Sequence, residues 1–317
     1  MADPVTHLLS ADLVARLRTL EIKAREVAEG ALTGIHHSSH RGSSLEFVEH
    51  KPYSPGDDIR MIDWKLFAKS DRYYIKQFED ETNIRCLILV DGSSSMAYRG
   101  MGPSGQKKGP RERMSKLEYA QVLAAALAWL LLNQSDAVGL AVFGAGVRKY
   151  LPPRSQSSFL QPILKGLAEI VPEPGTDLGR SVHEVIERTH GHILFIFISD
   201  FFDEPEPMIN SLKLLKHRGH ELILFQILDH DEIEFPFSRL SMFEGLEEEV
   251  KLLVDPRAIR EEYQRQVQFF IERMKSECLG DRIDYWFVNT FTPAEQTLSG
   301  YLAHREARKK TYRLRGV

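Results

Sequence analysis

The run Ile84-Arg85-Cys86-Leu87-Ile88-Leu89-Val90-Asp91-Gly92-Ser93-Ser94-Ser95-Met96 constrains the fold of this chain more than any other stretch. An almost unbroken apolar segment of strand length, halted by a Gly/Ser turn, needs cover on both faces, which is the situation of an inner strand in a parallel sheet. The segment ends in Asp-x-Ser-x-Ser, so Asp91, Ser93 and Ser95 place three oxygen-bearing side chains at alternate positions of one tight loop. Hard oxygen donors suit Mg²⁺ or Mn²⁺ better than zinc or copper, and Mg²⁺ takes about six of them. The simpler reading of such a loop is a Ser or Asp cap on the next helix.

The remaining chain alternates in the same sense. Ser115 to Asn133 reads as a helix apolar on most faces, and Ala137 to Phe143 as a strand. Val147 to Leu151 reads as an edge strand closed by Pro152-Pro153. A helix is expected over Ser157 to Val171. The loop Pro174-Gly175-Thr176-Asp177 comes next, then a helix from Gly179 to His190, with Asp177 as its N-cap. His192 to Ser199 is a second wholly apolar strand, and it runs into Asp200. Leu212 to His217 lies in a helix, and Leu222 to Leu228 is a strand that stops at Asp229. Met242 to Leu246 and Val250 to Val254 form a hairpin. Helix, strand and helix follow at Pro256 to Leu279, Ile283 to Val288 and Pro293 to Arg308. Strands alternating with helices predict an α/β fold built on a doubly wound, mostly parallel sheet.

Before this core lie a helical pattern over 11–29 and a His/Ser/Gly-rich connection with His36, His37 and His40. These histidines have no Cys or acidic partners nearby and read as a polar loop. Strand-like stretches from Leu45 and over Arg72 to Glu79 flank the turn Ser54-Pro55-Gly56-Asp57. Asp57, Asp58, Arg60 and Asp63 beside Trp64 read as a structural ion-pair cluster. The expected division is 1–80, a segment packed on the main domain, and 81–317, an α/β domain with a hairpin insertion around 240–255.

Several function classes drop out. With 43% apolar residues, 27% charged and a formal net charge of −4, the chain has an ordinary globular composition and no global attraction to nucleic acid or anionic lipid. The basic end (Arg305, Arg308, Lys309, Lys310, Arg313, Arg315) reads as a solvated helix terminus. Two cysteines, Cys86 and Cys278, make no disulfide framework. Neither a secretory signal nor a membrane span is expected, and the cytoplasm is the expected location. Gly100 and Gly105 have P-loop spacing, but Gln106 stands where the lysine belongs, and the loop from Tyr98 to Arg113 reads as a basic surface loop.

In doubly wound sheets, ligands gather beyond the carboxyl ends of the strands at a switch point. Asp91, Ser93, Ser95, Thr176 and Asp200 are all placed to converge there. Asp-x-Ser-x-Ser, then a Gly-Thr-Asp loop, then an apolar strand ending Ser-Asp resembles the metal-ion-dependent adhesion site of von Willebrand factor A domains. The resemblance implies that Ser93, Ser95 and Thr176 coordinate the cation. Asp91 and Asp200 would act through water and hydrogen bonds, and a partner's Asp or Glu would complete the octahedron.

Leu45-Glu46-Phe47, Tyr53-Ser54-Pro55-Gly56-Asp57-Asp58-Ile59-Arg60, Ile62-Asp63-Trp64 and the pattern from Asp284-Tyr285 to Tyr301-Leu302 resemble the DUF58 family. This resemblance extends over about residues 20–308. Its members are von Willebrand A-like proteins whose relatives are commonly encoded beside MoxR-type AAA+ ATPases. The implied role is a metal-dependent interaction module that partners such an ATPase and a client protein. Two alternatives stand beside it: a metal-dependent hydrolase or phosphatase with Asp91 as nucleophile, and a scaffold with a vestigial site. Against the hydrolase, Ser93 occupies the position where a haloacid dehalogenase-like site wants a second Asp, and no Gly-x-Ser-x-Gly or His-Glu-x-x-His motif is present.

Overall fold

The computed structural model describes residues 46–52, 64, 66–67, 72–79, 84–100, 113–247 and 251–314. The helical pattern over 11–29, the three histidines, the Asp57–Asp63 cluster and most of the basic loop after Tyr98 lie outside them. The described chain falls into two compact units, one spanning His37–Ile84 and the other containing Arg85–Val317. In the first, β1 (Glu46–Pro52) and β2 (Tyr74–Glu79) pair antiparallel, with a bulge between Phe47 and Glu49. Phe67 stacks on Tyr73 with 4.4 Å between ring centroids.

The second unit carries the expected doubly wound sheet. Its strands are β3 (Arg85–Asp91), β4 (Ala137–Phe143), β5 (Val147–Arg154), β6 (Leu194–Ser199), β7 (Glu221–Leu228) and β10 (Asp284–Asn289). They lie in the order β10-β7-β6-β3-β4-β5, all parallel except β5, which runs antiparallel to β4 at the edge. The chain leaves β3 toward β4 on one side and returns to β6 on the other. The switch point therefore falls between β3 and β6, at the ends carrying Asp91 and Asp200.

Why these strands read as uninterrupted apolar runs is clear from the two layers around them. Leu87, Leu89, Phe195 and Phe197 turn to a face packed by α3 (Leu178–Arg188), α4 (Pro205–His217) and α6 (Pro256–Gly280), whose Val182, Leu212 and Met274 are buried against them. The opposite face is covered by α1 (Lys116–Asn133) and α7 (Ala294–Leu314). Buried on nearly every side, α1 has the all-round apolar character of a helix wedged between layers. It starts at a full capping box: Ser115 accepts from the Glu118 amide, and Glu118 accepts from the Ser115 amide. Tyr119 ties α1 to the C-terminal segment through Thr297 (2.7 Å) and the Thr292 carbonyl (3.0 Å). Gln121 donates to the Leu167 carbonyl of α2 (Leu160–Ala168). The short α5 (His230–Glu234) is capped by Asp229, and the hairpin β8 (Ser241–Glu244) with β9 (Lys251–Val254) precedes α6.

Some elements differ from expectation. The helix expected over Ser157 to Val171 is a 3-10 turn, Ser157–Phe159, followed by the shorter α2. Strand β5 does not stop at Pro152-Pro153 but continues through both prolines to Arg154. The register slips between Val138 and Leu140, so the imino nitrogens fall in a bulge on an edge strand, where a missing donor costs no ladder bond. Arg305, read as part of a solvated end, lies 3.6 Å from Glu221. Among the described residues no helix is long and apolar enough to cross a membrane.

The bulge also explains Gly139. A Cβ there would come within 2.5 Å of the Leu151 carbonyl oxygen and 2.8 Å of the Pro153 nitrogen, both backbone atoms that cannot swing aside. Gly139→Ala is therefore expected to lower stability by about 1–3 kcal/mol, the range for overpacking a filled interior. Urea denaturation checks this, and an unchanged midpoint would contradict the close approach.

Candidate functional site

Strands β3 and β6 are neighbours in register, so their last residues are brought side by side. Asp91 and Asp200 are both almost wholly buried, as are Ser93 and Ser199. Each aspartate has both oxygens committed to protein donors. Asp91 Oδ1 accepts from the Ser93 amide (2.9 Å), and Oδ2 accepts from the Ser199 hydroxyl (2.5 Å). Ser199 in turn accepts from the Phe201 amide. Asp200 Oδ1 accepts from the Phe202 amide (3.1 Å), and Oδ2 accepts from Lys116 Nζ (2.8 Å).

Burial first, then the negative charge of Asp200, pushes the Asp91 carboxyl up to about 7, against the hydrogen bonds from Ser199 and Ser93 that favour its ionised form. Lys116 is the counter-charge. Its side chain is fully buried at the start of α1, 2.8 Å from Asp200 and 2.7 Å from Glu232. Burial alone would depress the ammonium, but the two carboxylates outweigh it and hold it up at about 12. Glu232 itself is raised by burial.

Above this buried layer sits a rim of hydroxyls and amides. The Asp91-to-Ser95 loop turns into a 3-10 segment, Ser94–Ala97, and the Ser93 and Ser95 hydroxyl oxygens lie 3.0 Å apart. The loop carrying Thr176 is drawn to it by backbone pairing of Ser93 with Glu173, including a bond from the Glu173 amide to the Gly92 carbonyl (3.1 Å). Arg148 of β5 staples the two together, donating to the carbonyls of Gly92, Val171 and Glu173. Farther on, the Asp177 amide donates to the Gly144 carbonyl, and Asp177 caps α3 as expected, accepting from the Arg180 amide.

The two loops meet over one carboxylate. Glu247, beyond β8, accepts from the Ser95 amide with Oε1 (2.6 Å) and from the Gly175 amide with Oε2 (2.7 Å). The Ser95 and Gly175 amides thus lie within the span of a single carboxylate. The structure brings Asp91, Ser93, Ser95 and Asp200 together at the switch point and puts Thr176, half-buried, in the adjoining loop.

A match to the family model described as "Protein of unknown function DUF58" extends over residues 49–270. The chain belongs to the DUF58 family. The uncharacterized protein Rv1480 of Mycobacterium tuberculosis is 24% identical to this DUF58 protein over 258 residues, covering 80% of this chain and 77% of its own. Among solved structures, the conserved hypothetical protein BatB from Bacteroides thetaiotaomicron is similar at 17% identity with a TM-score of 0.44, covering 70% of this chain and 98% of BatB. The SpRpn10 VWA domain is similar at 10% identity with a TM-score of 0.37, covering 70% of this chain and 94% of that domain.

Three residues of this DUF58 site escaped the sequence. Ser199 was visible only as the residue before Asp200, Lys116 looked like the polar start of an apolar helix, and Glu247 lay in an acidic loop with nothing to mark it. Among the described residues no group of three or more His, Cys, Asp or Glu is disposed to hold a metal ion, so any cation here would depend on hydroxyl donors. The serine pair has a suitable spacing: two ligands at ~2.0–2.1 Å on adjacent corners of an octahedron are about 3 Å apart.

Removing Lys116 would leave the buried Asp200 and the part-buried Glu232 without their counter-charge. Lys116→Met is expected to lose about 3–5 kcal/mol at neutral pH, the usual cost of breaking a buried ion pair from one side. Glu232 has a folded value above its unfolded one, so its contribution is complete below the ordinary carboxylate range and fades as pH rises through the raised value. Without the lysine that value rises further, so the deficit of the variant should narrow as the pH is lowered toward 5. Denaturant titrations at several pH values check this, and a deficit independent of pH would contradict it.

Proposed function

We propose that this DUF58 protein is a non-catalytic, cation-assisted interaction module that clamps an acidic side chain of a partner. The observation that carries the reading is the meeting of the Ser93/Ser95 turn with the Gly175-Thr176 loop above two buried aspartates. Ser93, Ser95 and Thr176 would hold Mg²⁺ or Mn²⁺, and Asp91 and Asp200 would orient those ligands and their waters. Neutral hydroxyls leave the cation most of its charge, and that charge is what the cation supplies: attraction for an incoming carboxylate.

Lys116 fits the same scheme. By pairing with both Asp200 and Glu232 it offsets part of the negative charge that would otherwise compete with the partner for the positive field. A hydrolase reading has less support, because a nucleophilic Asp91 needs a free oxygen and an approach path. Both of its oxygens are engaged and the side chain is wholly buried. The partner we infer is a MoxR-type AAA+ ATPase acting with this module on a client protein in the cytoplasm. Family resemblance supports that choice.

Isothermal titration with Mg²⁺ and Mn²⁺ tests the cation. Ser93→Ala and the double variant Asp91→Ala, Ser93→Ala should each lose at least ~10-fold in affinity, in line with losses on removing ligand-orienting partners. Equal, weak binding by all three proteins would mark the site as vestigial. Retention of the ATPase on the immobilised full chain should require Mg²⁺ and fail with EDTA. Retention unaffected by EDTA would contradict cation dependence.

A further inference from the structure

We propose that Glu247 is a built-in occupant of the carboxylate position, so that the site is self-ligated and a partner's acidic side chain must displace it. This rests on the preceding reading only in taking the incoming group to be a carboxylate. The side chain bridges two loops far away in sequence, 152 residues from Ser95 and 72 from Gly175, with one oxygen on each backbone amide. Bonds of 2.6 and 2.7 Å are in the charge-assisted range, stronger than neutral amide–carbonyl pairs. Two converging backbone N–H groups form a small anion receptor that needs no particular side chain of its own.

The hairpin beside Glu247 combines an aromatic anchor with exposed apolar side chains. Near the loop end of β8, four residues before Glu247, Phe243 stacks on Phe235 (5.8 Å) and meets Phe237 edge-on (5.4 Å), which anchors the hairpin there. Met242, Leu252 and Leu253 are 56%, 58% and 63% exposed, and Leu246, beside Glu247, is 46% exposed. Withdrawing Glu247 breaks two hydrogen bonds, one to each loop. A carboxylate on a short tether acts at an effective concentration of the order of millimolar, enough to turn away free carboxylates while yielding to a partner that makes further contacts.

The test is an amide-resolved NMR titration of the full chain with sodium acetate, using sodium chloride to control for ionic strength. Wild type, Glu247→Ala and Glu247→Gln are compared, each in EDTA and in Mg²⁺. In Glu247→Ala the Ser95 and Gly175 amides should respond to acetate with an apparent Kd at least 10-fold below that of wild type. Glu247→Gln should fall between, because its amide nitrogen cannot accept the second bond, and it carries the test should the alanine variant misfold.

Equal responses in wild type and both variants would overturn the inference, as would a Glu247→Ala response that leaves Ser95 and Gly175 unmoved. An acetate response of Glu247→Ala that is identical in EDTA and Mg²⁺ leaves the tethered occupant standing and removes the cation. Mg²⁺-enhanced binding of equal strength with and without Glu247 gives the reverse.

Discussion

Two carboxylates held side by side in a dry interior are the constraint around which this molecule is arranged. Asp91 and Asp200 end adjacent parallel strands, so the sheet itself forces them together. Like charges so placed are costly unless answered. Lys116 answers on one side, reaching Asp200 and Glu232 from the first turn of α1. On the other side Asp91 is held by a hydroxyl and an amide. Its carboxyl, lifted to about 7, reflects how much of the burden remains there.

That arrangement decides what the loops above can do. The oxygens of both aspartates are turned to the protein's own donors. They fix the Ser93 turn and the Ser199-Asp200 corner. Above them lie the serine hydroxyls and backbone amides of two loops, which Arg148 and the Ser93–Glu173 pairing hold together. Backbone N–H groups that converge from two loops are suited to receiving an anion, and Glu247 is the anion they receive within the chain.

The legibility of the fold had a physical cause. Strands β3, β6 and β7 are buried on both faces, so their sequences had to be continuous apolar runs, and such runs separated by helical patterns admit few arrangements. Deviations came where a local rule was overridden. Pro152-Pro153 looked like a stop, but a bulge opposite Gly139 on an edge strand removes the penalty that makes proline a stop.

By itself, the sequence determined which residues end the central strands, the Asp-x-Ser-x-Ser turn and the Asp177 cap. These are properties of a few consecutive residues whose hydrogen bonds close within the loop. Tertiary structure alone decided the partners of those groups. Lys116 meets Asp200 across 84 residues, Ser199 meets Asp91 across 108, and Glu247 meets Ser95 across 152. No periodicity or spacing encodes such pairings, because they depend on how the sheet orders its strands and where a hairpin folds back.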